Sequence, residues 1–303
     1  MSELKEQKYI LEIAKHQGIS EAAKKLYISQ PALSRFLTNT ERKLGVKLFE
    51  RLGKKLVPTY AGKQYINYAL SMIDLDDAFA SQISDIKIDK KGALAFGSTP
   101  GRGKNIFPTV IPKFCKLYPE FELKIYQEIV VKLEEYLRNG TIQLAMMTLE
   151  EGTINHKDFV IEEISTEEIV LLVPKDRQVR SYEKFGFRHP WVDIREFNED
   201  IFLLLNNGTR LRSSEDKILK EASLEPKTME FTSIDTILEM VAQDFGVAMA
   251  SDFLYENFRK VNVYSVGFYP IRWKFVLMTR VGSYISMPIK TMMDITRKIY
   301  GNQ

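Results

Sequence analysis

Residues 19–37 read ISEAAKKLYISQPALSRFL, a stretch in which two helical patterns are separated by only a few residues. Ala22 and Ala23 give the first pattern a small face that a crossing helix can approach closely. Ser29 is a favourable N-cap for the second pattern, and Pro31 suits a first helical turn because no backbone N–H is needed there. The stretch therefore predicts two helices joined by a tight turn.

The second helix is expected to bury one face and to present the other to solvent, since Leu33, Leu37 and Thr40 recur at helical spacing. We also expect Ser20 to cap the first helix of the pair. The outward positions of the second helix are Ser29, Gln30, Pro31, Ser34, Arg35 and Thr38. Arg and Gln can pair bidentately with guanine and adenine, and the first turns of such a helix fit the DNA major groove. We therefore predict a helix-turn-helix whose outer face contacts double-stranded DNA.

Charge is distributed unevenly along the chain. Residues 1–64 contain thirteen Lys and Arg but six Asp and Glu, a net charge of +7, so the rest of the chain carries −4 of the overall +3. A basic segment of this kind attracts polyanions, of which nucleic acid is the commonest. On charge alone, a solvated basic surface without a ligand remains the alternative.

A basic hairpin is predicted after the two helices. Residues 48–58 read LFERLGKKLVP, in which Gly53 can form the tight turn between two short strands. Arg51, Lys54 and Lys55 would contact phosphates and fix the register without reading sequence. A hairpin whose charges are merely solvated is the alternative.

A long helix should follow, with Thr59 as its cap and an end near Ile86. Its apolar positions repeat at intervals of three and four: Tyr65, Tyr68, Met72, Leu75, Phe79, Ile83 and Ile86. So long a stripe needs a partner, which is either the helix's own domain or a second copy of the chain. Residues 88–92, IDKKG, are predicted to be a linker.

The remaining two thirds of the chain alternate strand and helix patterns, which favours an α/β fold with parallel strands and right-handed crossovers. The pattern runs through a first round from residue 93 and begins a second at residue 201. Residues 161–173 and 263–281 are the stretches where the chain would cross between the two resulting lobes and return. Two such lobes enclose a cleft at the carboxyl ends of their strands.

Polar side chains follow the predicted strands in both lobes, and we expect them to line the cleft. The candidate ligand-binding residues are Ser98, Thr99, Thr148, Asn207, Thr209 and Ser233. Several would stand at helix N-termini, where free N–H groups and the helix dipole favour an anion. The basic residues Arg102, Lys104, Arg210 and Arg212 lie near the same turns. The alternative is that these positions are ordinary caps and loop residues.

Residues 22–51 and the following PTYAG at 58–62 resemble the winged helix-turn-helix of the LysR-type transcriptional regulators. The matching positions are Ala22, Ala23, Leu26, Ser29, Gln30, Pro31, Ala32, Leu33, Ser34, Glu41, Leu44, Gly45, Leu48, Phe49, Arg51, Thr59 and Gly62. Thr40 and Pro58 depart from the leucines usual at those places. Residues 244–251, DFGVAMAS, are similar to the family's Gly-x-Gly-Val-x-x-x-Pro segment, with Ser251 at the usual proline.

The resemblance implies an α/β chain with an N-terminal winged helix-turn-helix, a long linker helix and a two-lobed effector domain like that of periplasmic binding proteins. The expected segments are 1–60 for DNA binding, 61–90 for the linker and dimerisation helix, 91–162 with 265–303 for lobe I, and 163–264 for lobe II. It also implies a homodimer or homotetramer formed through the linker helix. Such a protein would bind an interrupted palindrome, respond to a small effector, for example an anion or amino acid, and meet RNA polymerase.

Other functional classes find little support in the sequence. GSTPGRGKN, residues 97–105, lacks the spacing of a phosphate loop, and the three histidines lie too far apart for a metal site. We therefore expect no catalytic residue, no metal and no cofactor. A single cysteine and the lack of an apolar run of about 18 residues favour the cytoplasm over a membrane. The alternative function is a small-molecule binding module whose N-terminal helices serve only in assembly.

Overall fold

The computed structural model describes residues 4–53, 55–86, 91–150, 157–255 and 260–301. The chain divides into two compact units, Met1–Lys90 with Gly282–Met287 and Lys91–Val281 with Pro288–Gln303. No helix within the described residues is long and apolar enough to cross a membrane. The boundaries expected for the domains and lobes remain predictions.

The first unit is a helical domain with a small antiparallel hairpin. Its elements are α1 Lys5–His16, α2 Ile19–Lys25, α3 Gln30–Leu44, β1 Phe49–Leu52, β2 Lys55–Pro58 and α4 Tyr60–Ile86. Ala22 and Ala23 are buried at the contact between α2 and its neighbours, together with Ile10, Ile13 and Leu33. These residues form the small core that holds the first three helices together.

The two helix starts in the opening stretch have different outcomes. The prediction for α3 is confirmed, because Ser29 precedes Gln30 and its Oγ accepts a hydrogen bond from Ala32 N at 3.4 Å. The prediction for α2 was wrong, since the helix begins at Ile19 and its N-cap is Gly18. Gly18 is extended, with φ −173°, so the helix starts before Ser20 without needing a side-chain cap.

The hairpin and the start of α4 are packed closely against each other. Gly53 forms the hairpin turn with a left-handed φ of +63°, as expected. Thr59 Oγ1 accepts a hydrogen bond from Gly62 N at 3.0 Å and donates to Lys47 O at 2.7 Å. A Cβ on Gly62 would lie 1.9 Å from the carbonyl oxygen of Leu48, so only glycine fits this crossing. The glycine of the PTYAG motif is thus a packing requirement.

The apolar stripe of α4 is only partly covered. Along its first half the helix packs on α1, where Gln7 Nε2 donates to Met72 Sδ at 3.7 Å. Farther along, Leu75 and Phe79 are 71% and 61% exposed. Leu75 and Phe79 are therefore the part of the stripe that stays uncovered within the described part of this unit.

The second unit is an α/β structure built on one twisted sheet. Its elements are β3 Lys91–Ser98, α5 Pro100–Leu117, β4 Glu120–Gln127, α6 Val130–Arg138, β5 Leu144–Glu150, β6 Phe159–Pro174, a 3-10 helix Ile194–Phe197, β7 Ile201–Leu205, α7 Arg210–Glu221, β8 Lys227–Phe231, α8 Ile234–Ala242, β9 Val247–Ser251, α9 Asp252–Tyr255, β10 Val261–Ser265, β11 Arg272–Arg280 and α10 Met287–Tyr300. The strand order is β4-β3-β5-β11-β6-β9-β7-β8, with β10 also paired to β6.

The expected two-lobed arrangement is present, with a mixed sheet in place of a purely parallel one. Strands β4, β3 and β5 are parallel in one lobe, and β9, β7 and β8 are parallel in the other. The first part of β6 pairs with β11, and its second part pairs with β9 and β10, all antiparallel. β6 is therefore the strand that carries the chain from one lobe to the other, and β11 lies beside it on the return.

The linker predicted at 88–92 extends too far. Lys91 and Gly92 belong to β3, where they pair with Glu120 and Phe121 of β4. Residues 88–90 lie outside the described part of the chain. Strand pairing over long sequence distances overrides the local turn tendency of the KKG segment.

Candidate functional site

The predicted outer face of α3 is exposed in the structure. Gln30, Pro31, Arg35 and Thr38 are exposed, as is the capping Ser29, and Ser34 is half-buried. Leu33 and Leu37 lie on the opposite side in the core of the unit. The first two turns of α3 therefore present amide, hydroxyl and guanidinium groups to any ligand that approaches this face.

A buried carboxylate fixes the hairpin to the end of α3. Glu41 Oε1 accepts hydrogen bonds from Leu48 N at 2.9 Å and from Phe49 N at 3.2 Å. Its other oxygen accepts from Lys47 Nζ at 2.7 Å. Glu41 thus fixes the start of β1 relative to α3. The outer face of α3 and the hairpin are therefore held in a fixed arrangement. The sequence pattern placed Glu41 among the matching residues but did not reveal this role.

The basic residues of the hairpin are only partly described. Arg51 and Lys55 are exposed on β1 and β2, and Lys54 lies outside the described residues. Lys47 is the cation held by Glu41. Arg51 and Lys55 are therefore the basic residues of β1 and β2 that are exposed at the surface.

The second candidate site lies between the two lobes of the α/β unit. Helix N-termini from the two lobes contact each other there. Lys104 Nζ of α5 lies 2.6 Å from Asp235 Oδ1 of α8. A Cβ on Gly101 would be 3.7 Å from Cγ2 of Ile234, so the first turns of α5 and α8 are in contact. On the α7 side, burial lowers the pKa of Arg210, while the charges of Glu134 and Glu150 raise it. The lobes therefore approach each other at the ends where ligand binding was predicted.

The N-cap hydroxyls of α5, α7 and α8 differ in whether they make a capping hydrogen bond. Thr209 Oγ1 accepts from Arg212 N at 3.1 Å, and Ser233 Oγ accepts from Thr236 N at 3.4 Å. Thr99 occupies the same position at the start of α5, but its side chain makes no capping hydrogen bond. Thr99 is therefore the capping residue whose hydroxyl is not used to hold its own helix.

The other predicted ligand-binding residues are spread over different environments. Ser98 is fully buried and donates to Met146 O at 2.6 Å, which ties β3 to β5. Thr148 is half-buried and accepts from Arg102 Nη2 at 3.4 Å. Asn207 is exposed in the turn after β7. Thr148 therefore contacts Arg102 of the helix that Thr99 precedes, and the start of that helix contacts the start of α8 after Ser233, whereas Asn207 is exposed.

Beneath the start of α5 lies a buried ion pair. Arg102 pairs with Glu167 of β6, and its guanidinium lies 3.7 Å from the ring centre of Phe253 and 4.4 Å from that of Phe275. Burial lowers the pKa of Arg102 to about 9, and the charges of Tyr300 and Asp252 act in the opposite direction. The guanidinium therefore stays charged at neutral pH. Its Nη1 has no hydrogen-bond partner among the described residues.

A second buried network anchors the crossing strand. Asp252 accepts hydrogen bonds from Arg188 Nη1 at 2.7 Å and from Glu168 N at 3.1 Å, and His189 Nε2 lies 3.2 Å away. Burial alone would raise the pKa of Asp252, but these three groups together lower it. The Glu168 carboxylate accepts from Arg188 N at 3.0 Å and from Ser265 Oγ, so both adjacent acids of β6 have polar partners where the strand passes between the lobes.

A polar cavity of about 620 Å³ opens elsewhere on the second lobe. Its lining residues are Pro174, Lys175, Asp176, Arg177, Ala242, Asp244 and Lys260. None of the predicted ligand-binding residues is among them. Arg177 is already paired with Asp200, with Nη2 2.8 Å from Oδ2, so the geometry between the lobes remains the stronger candidate.

Comparison with known families explains both surfaces. Residues 4–63 match the bacterial regulatory helix-turn-helix family of the lysR type, and residues 88–299 match the LysR substrate-binding domain. The chain belongs to the LysR family of transcriptional regulators. This LysR-type regulator therefore carries a DNA-binding helix-turn-helix followed by an effector-binding domain.

Curated relatives and solved structures of this family are similar to this chain over most of its length. An uncharacterized HTH-type transcriptional regulator, YcgK of Bacillus subtilis (strain 168), is 26% identical over 98% of this chain and 94% of its own. A probable RuBisCO transcriptional regulator of Porphyra purpurea is 28% identical over 79% and 74%. A full-length OxyR from Pseudomonas aeruginosa has a TM-score of 0.70 at 23% identity, covering 98% of this chain and 95% of that chain.

A structure of full-length CbnR bound to its target DNA also has the same fold. It has a TM-score of 0.55 at 18% identity and covers 98% of this chain and 99% of that chain. At such identities the likeness concerns the fold of the regulator and not its ligand.

Sequence reasoning missed Glu167 as a partner in the cleft region. The signal was present, since IEEISTEEIVLLVP places two adjacent acids inside a strand that must cross between lobes. Glu167 and Glu168 are 3% and 1% exposed. Because acids are almost never fully buried without partners, their placement inside an apolar strand was a reason to look for matching cations.

Proposed function

We propose that this LysR-type regulator binds an interrupted palindrome in DNA sequence-specifically, and that a small effector bound between its two lobes changes that binding. The observation that carries the DNA part is the outer face of α3. Ser29 fixes the helix start, and Gln30 and Arg35 are exposed in the first turns, where a recognition helix meets base edges. Arg51, Lys54 and Lys55 would contact phosphates beside it.

A palindromic target is supported by the uncovered stripe of α4. Leu75 and Phe79 are exposed on a helix of 27 residues, which a second copy of the chain can cover. A two-fold dimer would present two α3 helices to two half-sites related by the same symmetry. A homodimer, or a homotetramer built from two such dimers, is the assembly we expect to bind.

An anion or an amino acid is the effector class that the lobe junction supports. The starts of α5, α7 and α8 each offer free backbone N–H groups. Arg210 places a guanidinium at the same junction, where Lys104 is held by Asp235. Thr99, with a hydroxyl that caps nothing, Thr148 and Ser233 are the residues nearest these features, and Ser98, Asn207 and Thr209 complete the proposed set.

The DNA-binding proposal is tested by recovering genomic fragments bound to the full-length protein and measuring their mobility shift against salt. We expect retention of a few fragments that share a palindrome, with affinity falling steeply as salt rises. A protein that retains no fragment even at low salt would instead be a small-molecule binding module.

The effector proposal is tested with Thr99→Ala. Small carboxylates and amino acids are screened for a change in the mobility of a recovered fragment. We expect Thr99→Ala to reduce this response at least tenfold while leaving ligand-free DNA binding and melting temperature unchanged, because its hydroxyl caps no helix. Lys116→Ala, at an exposed position near the far end of the same helix, is the control and should respond like the wild type. Loss of DNA binding in Thr99→Ala would contradict a sensory role.

A further inference from the structure

Tyr27 occupies a strained position between α2 and α3. Its φ is +54°, in the left-handed region that side chains with a Cβ rarely adopt. Tyr27 N donates to Lys24 O at 3.2 Å, and Ile28 N donates to Ala23 O at 3.1 Å. This paired pattern is the usual helix-ending motif in which glycine takes the left-handed residue. A tyrosine here destabilises the fold relative to glycine.

Contacts within the protein do not offset this strain. The Tyr27 side chain is 96% exposed, and among the described residues it makes no hydrogen bond or ring contact. Tyr9, in the same unit, behaves differently, since its ring packs edge-on against Phe36 at 5.1 Å. Backbone strain that folding does not repay is typical of residues held for function.

The position of Tyr27 relative to α3 indicates what that function is. It lies two residues before the Ser29 cap, in the turn that leads into the exposed first turns of α3. When the start of such a helix enters the major groove, the turn before it meets the sugar-phosphate backbone at the groove edge. The nearby Lys24 is already paired with Glu21 at 2.7 Å, which leaves the tyrosine hydroxyl as a free donor in this turn.

We propose that Tyr27 is a DNA-backbone contact whose hydroxyl donates a hydrogen bond to a phosphate oxygen beside the groove occupied by α3. This inference rests on the proposed DNA binding and adds a residue that the base-reading face does not include. A tyrosine contact releases no counterion, because the side chain is neutral. Its loss should weaken binding to every sequence alike without changing the salt dependence.

The test uses the full-length chain with two duplexes, one recovered genomic fragment and one random sequence of equal length. Fluorescence anisotropy gives the affinity of Tyr27→Phe and Tyr27→Gly for each. We expect Tyr27→Phe to lose about tenfold and Tyr27→Gly about twentyfold on both duplexes, near the lower limit for one hydrogen bond to a charged group. The slope of affinity against salt should match the wild type.

Gln17→Gly is the matched control. Gln17 is also exposed and left-handed, with φ +50° at the end of α1, but it does not lie next to α3. Both glycine variants should raise the melting temperature by a few degrees, because each relieves the same backbone strain. Only Tyr27→Gly should bind DNA more weakly, so that stability and affinity change in opposite directions.

Four outcomes would overturn the proposal. If Tyr27→Phe binds DNA as tightly as the wild type, the hydroxyl makes no hydrogen bond to phosphate. If Gln17→Gly and Tyr27→Gly lose the same affinity, the loss comes from backbone flexibility and not from the tyrosine side chain. If the Tyr27 variants lose affinity for only one of the two duplexes, Tyr27 contacts a base and not the backbone. If the wild type binds neither duplex, the proposed function fails and this inference fails with it.

Discussion

Arg35 and Lys55 are both exposed cations of the amino-terminal unit, but they lie on elements with different tasks. Arg35 is in the second turn of α3, where it reaches base edges if the helix enters the major groove. Lys55 begins β2 of the hairpin, where we expect its point charge to contact phosphate beside the groove. Although both side chains are positively charged, we expect only Arg35 to make DNA binding depend on the base sequence.

We predict that Arg35→Ala weakens binding to a recovered fragment by about 1 to 3 kcal/mol and leaves binding to random DNA almost unchanged. Lys55→Ala should weaken both equally and reduce the salt slope by about one unit. Competition binding at several salt concentrations measures both effects. Equal losses for Arg35→Ala on the two duplexes would show that Arg35 contacts phosphate.

At the scale of single residues, the success of prediction depended on whether the signal was local. Ser29 was predicted correctly because its hydroxyl, the proline after the helix start and the apolar spacing all agree. Ser20 was predicted wrongly because Gly18, two residues earlier, already allows the helix to begin. Tyr27 was passed over, since neither composition nor periodicity indicates a left-handed φ.

At the scale of elements, α7 contains a buried acid from which we expect the stability of the second lobe to depend on pH. Glu215 is fully buried, and its Oε2 accepts from Leu205 N at 3.3 Å. Burial raises its pKa from the ordinary 4.5 to about 8, against the opposing effects of the Leu205 hydrogen bond and of Arg212. The folded lobe therefore holds a proton at neutral pH that the unfolded chain has released.

We predict that the unfolding free energy of the second lobe falls as pH rises from about 4.5 to 8. In this window the folded state binds more protons than the unfolded state, so the stabilisation present at low pH is lost progressively, at roughly 1 kcal/mol per pH unit. Glu215→Gln should remove this decline, and the exposed Glu221→Gln on the same helix should keep it. Urea unfolding between pH 5 and 8.5 tests this, and parallel curves for Glu215→Gln and wild type would refute it.

Helix starts show how an element combines local and tertiary information. The polar residues at 99, 209 and 233 were predicted from sequence as helix caps or ligand contacts, and the structure separates these roles. Thr209 and Ser233 use their hydroxyls as caps, whereas Thr99 does not. A side-chain hydrogen bond depends on local backbone angles, which the residue types alone do not specify.

At the scale of the whole molecule, basic charge and exposed apolar surface are combined in the same unit. The first 64 residues carry +7, and the long helix α4 begins within them. Leu75 and Phe79 leave an apolar stripe uncovered on that helix. A second copy that covers the stripe would double the basic surface available to DNA and supply a second α3.

We predict that Leu75→Glu with Phe79→Glu converts the assembly to a monomer, because burying two carboxylates in the helix pair is strongly unfavourable. Affinity for a palindromic fragment should fall at least a hundredfold, to near that for a single half-site. Ala80→Glu, an exposed position off the stripe, should leave both properties unchanged. Sedimentation velocity and gel shift measure them, and a dimeric double variant would place the interface elsewhere.

Short-range sequence patterns were sufficient to predict the helix-turn-helix, the glycine turn of the hairpin and the alternation of strands and helices. Each depends on residues within a few positions of one another, so capping, periodicity and turn chemistry define it. The mixed sheet, the pairing of Arg102 with Glu167 and the bracing of the hairpin by Glu41 depend on groups that meet only after folding. Burial makes those contacts obligatory, because a charge removed from water must find a partner wherever the fold brings one within reach.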